Sequence, residues 1–125
     1  MQLTICDDTL LKAESNDTLF FFDYSTFALV DSAESRDSSG IIPFVHIPQV
    51  RVMRAYVHSL NNRSTENRFR DLDDREYLQY FWKVFDDDGW QSECWLTFER
   101  QYCLDAVIRW CEENGIGYRI MLSPK

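Results

Sequence analysis

The amino-acid sequence predicts an α+β fold: a small antiparallel sheet, made of an N-terminal hairpin and a C-terminal strand, packed on a cluster of three to four helices. Three observations predict it. Aromatic and β-branched runs bounded by turn residues fill the chain up to Ile47, and apolar residues at helical spacing follow Pro48. Gly115 then closes the helical stretch just before a last short apolar run. A chain of 125 residues is expected to form a single compact domain over 1–125, with an exposed loop near 32–40, SAESRDSSG.

Asp7 or Asp8 can cap a short first helix whose apolar surface is Leu10, Leu11 and Ala13. Thr18–Asp23 reads as a strand, with Phe20, Phe21 and Phe22 buried on both sides. Tyr24-Ser25-Thr26 supplies a turn, and Phe27–Asp31 returns as the second strand of a hairpin. Ile41–Ile47 is a third strand candidate. Pro43 cannot donate to a ladder, so it forces an edge position or shortens this strand to Phe44–Ile47.

Pro48 suits the first turn of a helix that carries Val50, Met53, Val57 and Leu60, with Tyr56 beside them, and Asn61-Asn62 can end it. Arg63–Leu72 can hold a short helical turn. Asp73 and Glu76 have the spacing of a capping box, ahead of an apolar face of Tyr77, Leu78, Phe81, Trp82 and Phe85. Asp88 and Gln91 repeat the capping pattern before a long helix that runs to about Asn114. At about 100° per residue, Trp95, Phe98, Tyr102, Ala106 and Trp110 share one side of it, widened by Leu96, Cys103, Val107 and Cys111. Gln101, Asp105, Arg109 and Glu112 form a narrow polar stripe. Tyr118–Leu122 is expected to join the sheet as its final strand.

The composition, 45% hydrophobic and 27% charged, supports a packed core. Acids outnumber bases 21 to 13, for a formal net charge of −8. The excess is spread along the chain, with 8 acids against 4 bases in residues 1–62 and 13 against 9 in residues 63–125. Such a balance disfavours nucleic acid and anionic membranes as partners, since both demand clustered positive charge. The N-terminus has no basic segment followed by an apolar run, and no apolar stretch approaches ~18 residues. A cytoplasmic protein with reduced thiols is therefore expected.

Chemical signatures are sparse. Cys6, Cys94, Cys103 and Cys111 include no CxxC pair, and the nine-residue step from Cys94 to Cys103 turns them to opposite sides of one helix. His46 and His58 form no HExxH-type group. Asp86-Asp87-Asp88 lacks the alternating ligands of a calcium loop, and Asp71, Asp73 and Asp74 suit a helix start. Phosphate-loop glycine motifs and GxSxG are absent. No cofactor and no metal are expected. Arg51, Arg54, Arg63, Arg68, Arg70 and Arg75, interleaved with Tyr56, Phe69 and Tyr77, could face RNA, but acids share the region and surface ion pairs are the simpler reading. Four tryptophans, Trp82, Trp90, Trp95 and Trp110, fall in the second half. Most belong in a core, whereas Trp90, after the Asp run, can anchor a partner or pack as a hydrophobic staple onto the helix start.

The order of elements and the last third of the chain carry a further pattern: Phe81-Trp82-Lys83-Val84-Phe85, then Trp95-Leu96-Thr97-Phe98-Glu99-Arg100, then Ala106, Trp110, Cys111 and Asn114-Gly115-Ile116. This resembles the bacterial uncharacterised protein family 0158, whose members share a phenylalanine-rich helix, a W-x-x-F segment and a closing A-x-x-x-W-L-x-x-x-G-I pattern. Phe27 stands where the family's turn glycine is expected, and Cys111 where the family prefers leucine. The resemblance implies no activity, cofactor or site.

The expected function is that of an acidic interaction or regulatory module, of adaptor or immunity type, without catalytic activity. Its partner would be a basic protein meeting Trp90, Asp86, Asp87 and Asp88. The alternatives are an enzyme or ligand-binding protein in which His46 or His58 meets a cysteine or carboxylate, and an RNA-associated module.

Overall fold

A computed structural model describes residues 1–15, 18–31, 40–85 and 89–123, with residues 89–92 described by their backbone alone. The element order is β1 (Leu3–Ile5), α1 (Asp7–Ala13), β2 (Phe21–Asp23), β3 (Ala28–Val30), β4 (Ile41–Pro43), α2 (Gln49–Ser59), α3 (Arg63–Phe69), α4 (Asp74–Phe85), α5 (Gly89–Glu113) and β5 (Tyr118–Ile120). The class is α+β as the sequence predicts. The chain divides into two compact units, one of Met1–Ile47 with Cys103–Lys125 and the other of Pro48–Tyr102, the boundary falling within α5.

The first unit holds both sheets. β2 pairs antiparallel with β3 and with β4, giving the order β3-β2-β4. Pro43 therefore sits on an edge strand as its missing N–H requires, and the strand ends there instead of shortening to Phe44–Ile47. Opposite β2 residues share a face, and Phe22, paired with Leu29 and Ile42, is fully buried while Phe20 and Phe21 remain half-buried. The aromatic run is thus buried on one side and not on both. The loop between the paired Asp23 and Ala28 is Tyr24–Phe27, one residue longer than the sequence suggests. Asp23 Oδ1 accepts hydrogen bonds from the Ser25 N–H (2.8 Å) and hydroxyl (2.7 Å). Phe27 closes the loop at φ +55°, the left-handed conformation in which glycine is at ease and a bulky residue is rare.

The C-terminal strand corrects the expected topology. β5 does not join the hairpin; it pairs in parallel with β1, in register Leu3 to Tyr118 and Ile5 to Ile120, forming a separate two-stranded sheet. Its position follows from the end of α5. Gly115 adopts φ +66°, the Ile116 N–H donates to the Cys111 carbonyl at 2.8 Å, and the Gly115 N–H donates to the Glu112 carbonyl at 3.3 Å. These two bonds are the Schellman motif, and they reverse the chain after the helix. α1 starts earlier than the expected Asp7 or Asp8 cap would place it, directly after β1. Its N-cap is Cys6, whose N–H donates to the Thr9 hydroxyl at 3.1 Å, while Asp7 and Asp8 lie in the first turn, where negative charge suits the helix dipole.

The second unit contains α2, α3, α4 and the N-terminal part of α5. Pro48 occupies the N-cap of α2, one position before the first turn. Asn61 turns left-handed at φ +51° after α2, and Asn62 caps α3 by accepting from the Thr65 N–H. The expected capping box of α4 is reciprocal: the Asp73 N–H donates to Glu76 Oε1 at 3.2 Å, and the Glu76 N–H donates to Asp73 Oδ1 at 2.8 Å. Tyr56 lies among Phe81, Phe85, Trp95 and Phe98, with ring centroids 5.2–6.1 Å away and steep interplanar angles. Three side chains of the expected apolar helical faces of this unit are on the surface: Leu60 is 40% exposed, Trp82 41% and Leu96 55%. The faces that α4 and α5 bury are therefore narrower than their apolar stripes.

Two stability outcomes follow. A Cβ at Gly115 would meet no atom within 4 Å, so Gly115→Ala should lower stability by about 1 kcal/mol through backbone strain alone, read from a denaturant midpoint. Phe81→Ala should cost about 3–5 kcal/mol and Trp82→Ala about 1 kcal/mol in the same measurement, because only Phe81 is fully buried.

Candidate functional site

The helical unit presents an open groove of about 540 Å³ lined by Tyr56 of α2 and by Glu93, Cys94, Thr97, Phe98 and Gln101 of α5. Its origin is legible in spacing. Cys94, Thr97, Phe98 and Gln101 fall at i, i+3, i+4 and i+7, which places them on one face of a helix. Tyr56 and Phe98 pack ring to ring at 5.2 Å. The volume lies in the range of small-molecule and side-chain pockets, and the lining is mostly apolar with polar groups at its margin. Burial pushes the Tyr56 phenol above its ordinary pKa, and the neighbouring Cys94 adds to the effect. The phenol therefore stays protonated and can serve as a hydrogen-bond donor throughout the neutral range.

A second, smaller groove of about 240 Å³ lies along α4, lined by Arg68, Leu72, Glu76, Gln79, Tyr80 and Lys83. Its lining mixes apolar and polar surface, with Arg68, Glu76 and Lys83 all at the same open concavity.

The residues singled out from the sequence are placed as follows. Asp86, Asp87 and Asp88 lie outside the described residues. Trp90 lies in the first turn of α5, and its side chain is also outside them. His46 Nε2 donates to the Ser15 carbonyl at 2.5 Å, and His58 Nδ1 donates to Glu66 Oε1 at 3.2 Å on an open surface where His58 is largely exposed. His58 thus meets a carboxylate, outside either groove. Cys6 Sγ stands 3.4 Å from the Thr9 hydroxyl, and Cys103 Sγ donates to Glu14 Oε2 at 3.3 Å. Among the described residues, no group of three or more His, Cys, Asp or Glu side chains could hold a metal ion, and no helix is long and apolar enough to cross a membrane. All six arginines of the second half's basic cluster are exposed. Arg54 is engaged: it pairs with Asp74 at 2.9 Å and lies over the Tyr77 ring at 4.4 Å.

No protein-family model, curated protein or solved structure matches the chain.

The four thiols divide into two classes. Cys6 and Cys94 are partly exposed, whereas Cys103 and Cys111 are buried. The Thr9 hydroxyl beside Cys6 lowers its pKa, while burial, with a contribution from Glu112, pushes Cys111 up to about 11. An aromatic disulfide reagent should titrate two thiols quickly and two only after denaturation, with Cys6 reacting at the lower pH. The sign for Cys111 is that of a group whose folded state holds its proton. Its contribution to stability is complete below the ordinary thiol range and is lost as pH rises through about 11, so Cys111→Ser should flatten the alkaline limb of a pH–stability curve.

Proposed function

We propose that the protein is a non-catalytic binding module whose helical unit takes up an apolar side chain of a basic protein partner in the groove lined by Tyr56, Cys94, Thr97 and Phe98. The observation that carries this reading is the groove itself. Two aromatic walls stand on helical elements, and the exposed Glu93 carboxylate marks the margin. Aromatic-walled concavities are where interface anchors deliver most of their binding energy. The occupant is basic because the chain carries −8 overall, which attracts a cationic partner and speeds its encounter. Leu96, 55% exposed and three residues beyond Glu93 on α5, extends the apolar contact available to such a partner. An adaptor or immunity-type role agrees with this arrangement. The enzymatic alternative has less support, since among the described residues neither histidine lines either of these two grooves.

The test uses the full chain and a fluorescent amphipathic helix of leucine and lysine as a basic probe, followed by anisotropy. Binding should weaken about three- to ten-fold in Glu93→Lys and in Thr97→Arg, whose longer side chain enters the groove. It should also weaken as salt is raised from low to near-physiological concentration. Failure of the probe to bind, or binding indifferent to both substitutions, overturns the reading; binding indifferent to salt removes its electrostatic part.

A further inference from the structure

We infer that Cys94 is an attachment site for aliphatic α,β-unsaturated ketones, whose tail and carbonyl are both taken up by the groove that α2 and α5 line. Cys94 and Phe98 stand one turn apart on α5, so their side chains are neighbours on one face. From α2, the Tyr56 ring packs on Phe98 with centroids 5.2 Å apart. A partly exposed thiol, an aromatic wall and a phenol thus share a groove of about 540 Å³.

The Tyr56 hydroxyl points to the ligand. Tyr56 is only 5% exposed. Its carbonyl accepts from the Ser59 hydroxyl, but its own hydroxyl has no hydrogen-bond partner among the described residues. Among those residues no fully buried side-chain nitrogen or oxygen lacks a partner. The hydroxyl is therefore not sealed in the core; it opens onto the surface that Tyr56 lines, which is the groove. Charge on Cys94 is felt by the phenol, so the two groups are close. Tyr77 is buried as deeply, yet it lines neither groove. An unpaired donor held in an apolar site favours a ligand that brings an acceptor. A nucleophile beside it favours a ligand whose acceptor is conjugated to an electrophilic carbon.

An enone meets both demands. The Cys94 thiolate forms a bond to the β-carbon, and the C=C π pair moves toward the carbonyl. The developing enolate oxygen accepts a hydrogen bond from the Tyr56 O–H. The α-carbon then takes a proton from water, replacing the one the thiol released. The product is a thioether, formed with no leaving group and no oxidant. The aliphatic tail lies against Tyr56 and Phe98, and burial of its methylenes holds the reacting carbon at the thiol. Cys6 is the internal comparison: it is also partly exposed, but it lines neither groove.

The experiment treats the full chain with methyl vinyl ketone or pentyl vinyl ketone, which share a reacting carbon and differ in tail. Adducts at Cys94 and Cys6 are followed by peptide mass spectrometry. Lengthening the tail should raise the ratio of the Cys94 rate to the Cys6 rate about ten-fold. Tyr56→Phe should slow enone addition at Cys94 about three- to ten-fold and leave Cys6 unchanged. Its thermal midpoint should hold, because the lost hydroxyl has no partner among the described residues. Iodoacetamide, which alkylates a thiol through no enolate, should modify Cys94 equally fast in Tyr56→Phe and in the parent chain. A rate ratio indifferent to tail length overturns the proposal. So does a Tyr56→Phe variant that reacts with the enone like the parent, or that slows with both reagents alike. No protein partner is present in the reaction, so its outcome is separate from that of the basic probe.

Discussion

Burial of the Trp110 indole is the constraint on which the sheet-bearing unit depends. The ring packs edge-on against Phe22 at 5.6 Å and Phe44 at 4.9 Å, and its N–H donates to the Pro43 carbonyl at 3.1 Å. A tryptophan can be buried only if its single donor finds an acceptor, and here the acceptor belongs to the edge strand β4. One side chain thus satisfies its own polar atom, holds β4 beside β2, and covers the fully buried face of Phe22. Phe27 and Tyr24 close the same ring cluster from the hairpin loop, each about 5 Å from Phe22. This packing gives a physical reason for a phenylalanine to tolerate a left-handed backbone: the apolar contact offsets conformational strain that glycine would avoid.

In the helical unit the equivalent centre is Tyr56. Its ring is surrounded by Phe81, Phe85, Trp95 and Phe98, which come from two other helices, so α2, α4 and α5 meet on one residue. The Tyr56–Phe98 contact also lines the groove at the edge of this ring cluster. The binding surface proposed for the protein is therefore continuous with its core packing.

The acidity of the chain acquires a more definite meaning in the fold. Asp73 and Glu76 cap a helix, Asp8 and Asp74 pair with bases, Glu66 faces His58, and Asp23 builds a turn. Ser25 holds the Asp23 carboxyl below its usual range by donating two hydrogen bonds to the charged form. Much of the negative charge thus performs local structural duties.

What the sequence determined by itself is local. The α4 capping box, the Asn61-Asn62 stop, the left-handed Gly115, the edge position of Pro43 and the exposed stripe of Gln101, Asp105, Arg109 and Glu112 each depend on residues within a few positions of one another, and each is readable as a pattern. Tertiary structure decided the rest. A strand of three residues, Leu3–Ile5, has too little alternation to register as a period, and its partner Tyr118–Ile120 lies at the other end of the chain. The choice between joining the hairpin and pairing with β1 therefore rests on where the turn after α5 delivers the chain. The grooves were hidden for the same reason: helical spacing shows which residues share a face, but whether that face is covered depends on the width of the neighbouring helix. Leu96 and Trp82 read as core because they are apolar, yet both are exposed, since only the tertiary packing decides which part of an apolar helical face a neighbour covers.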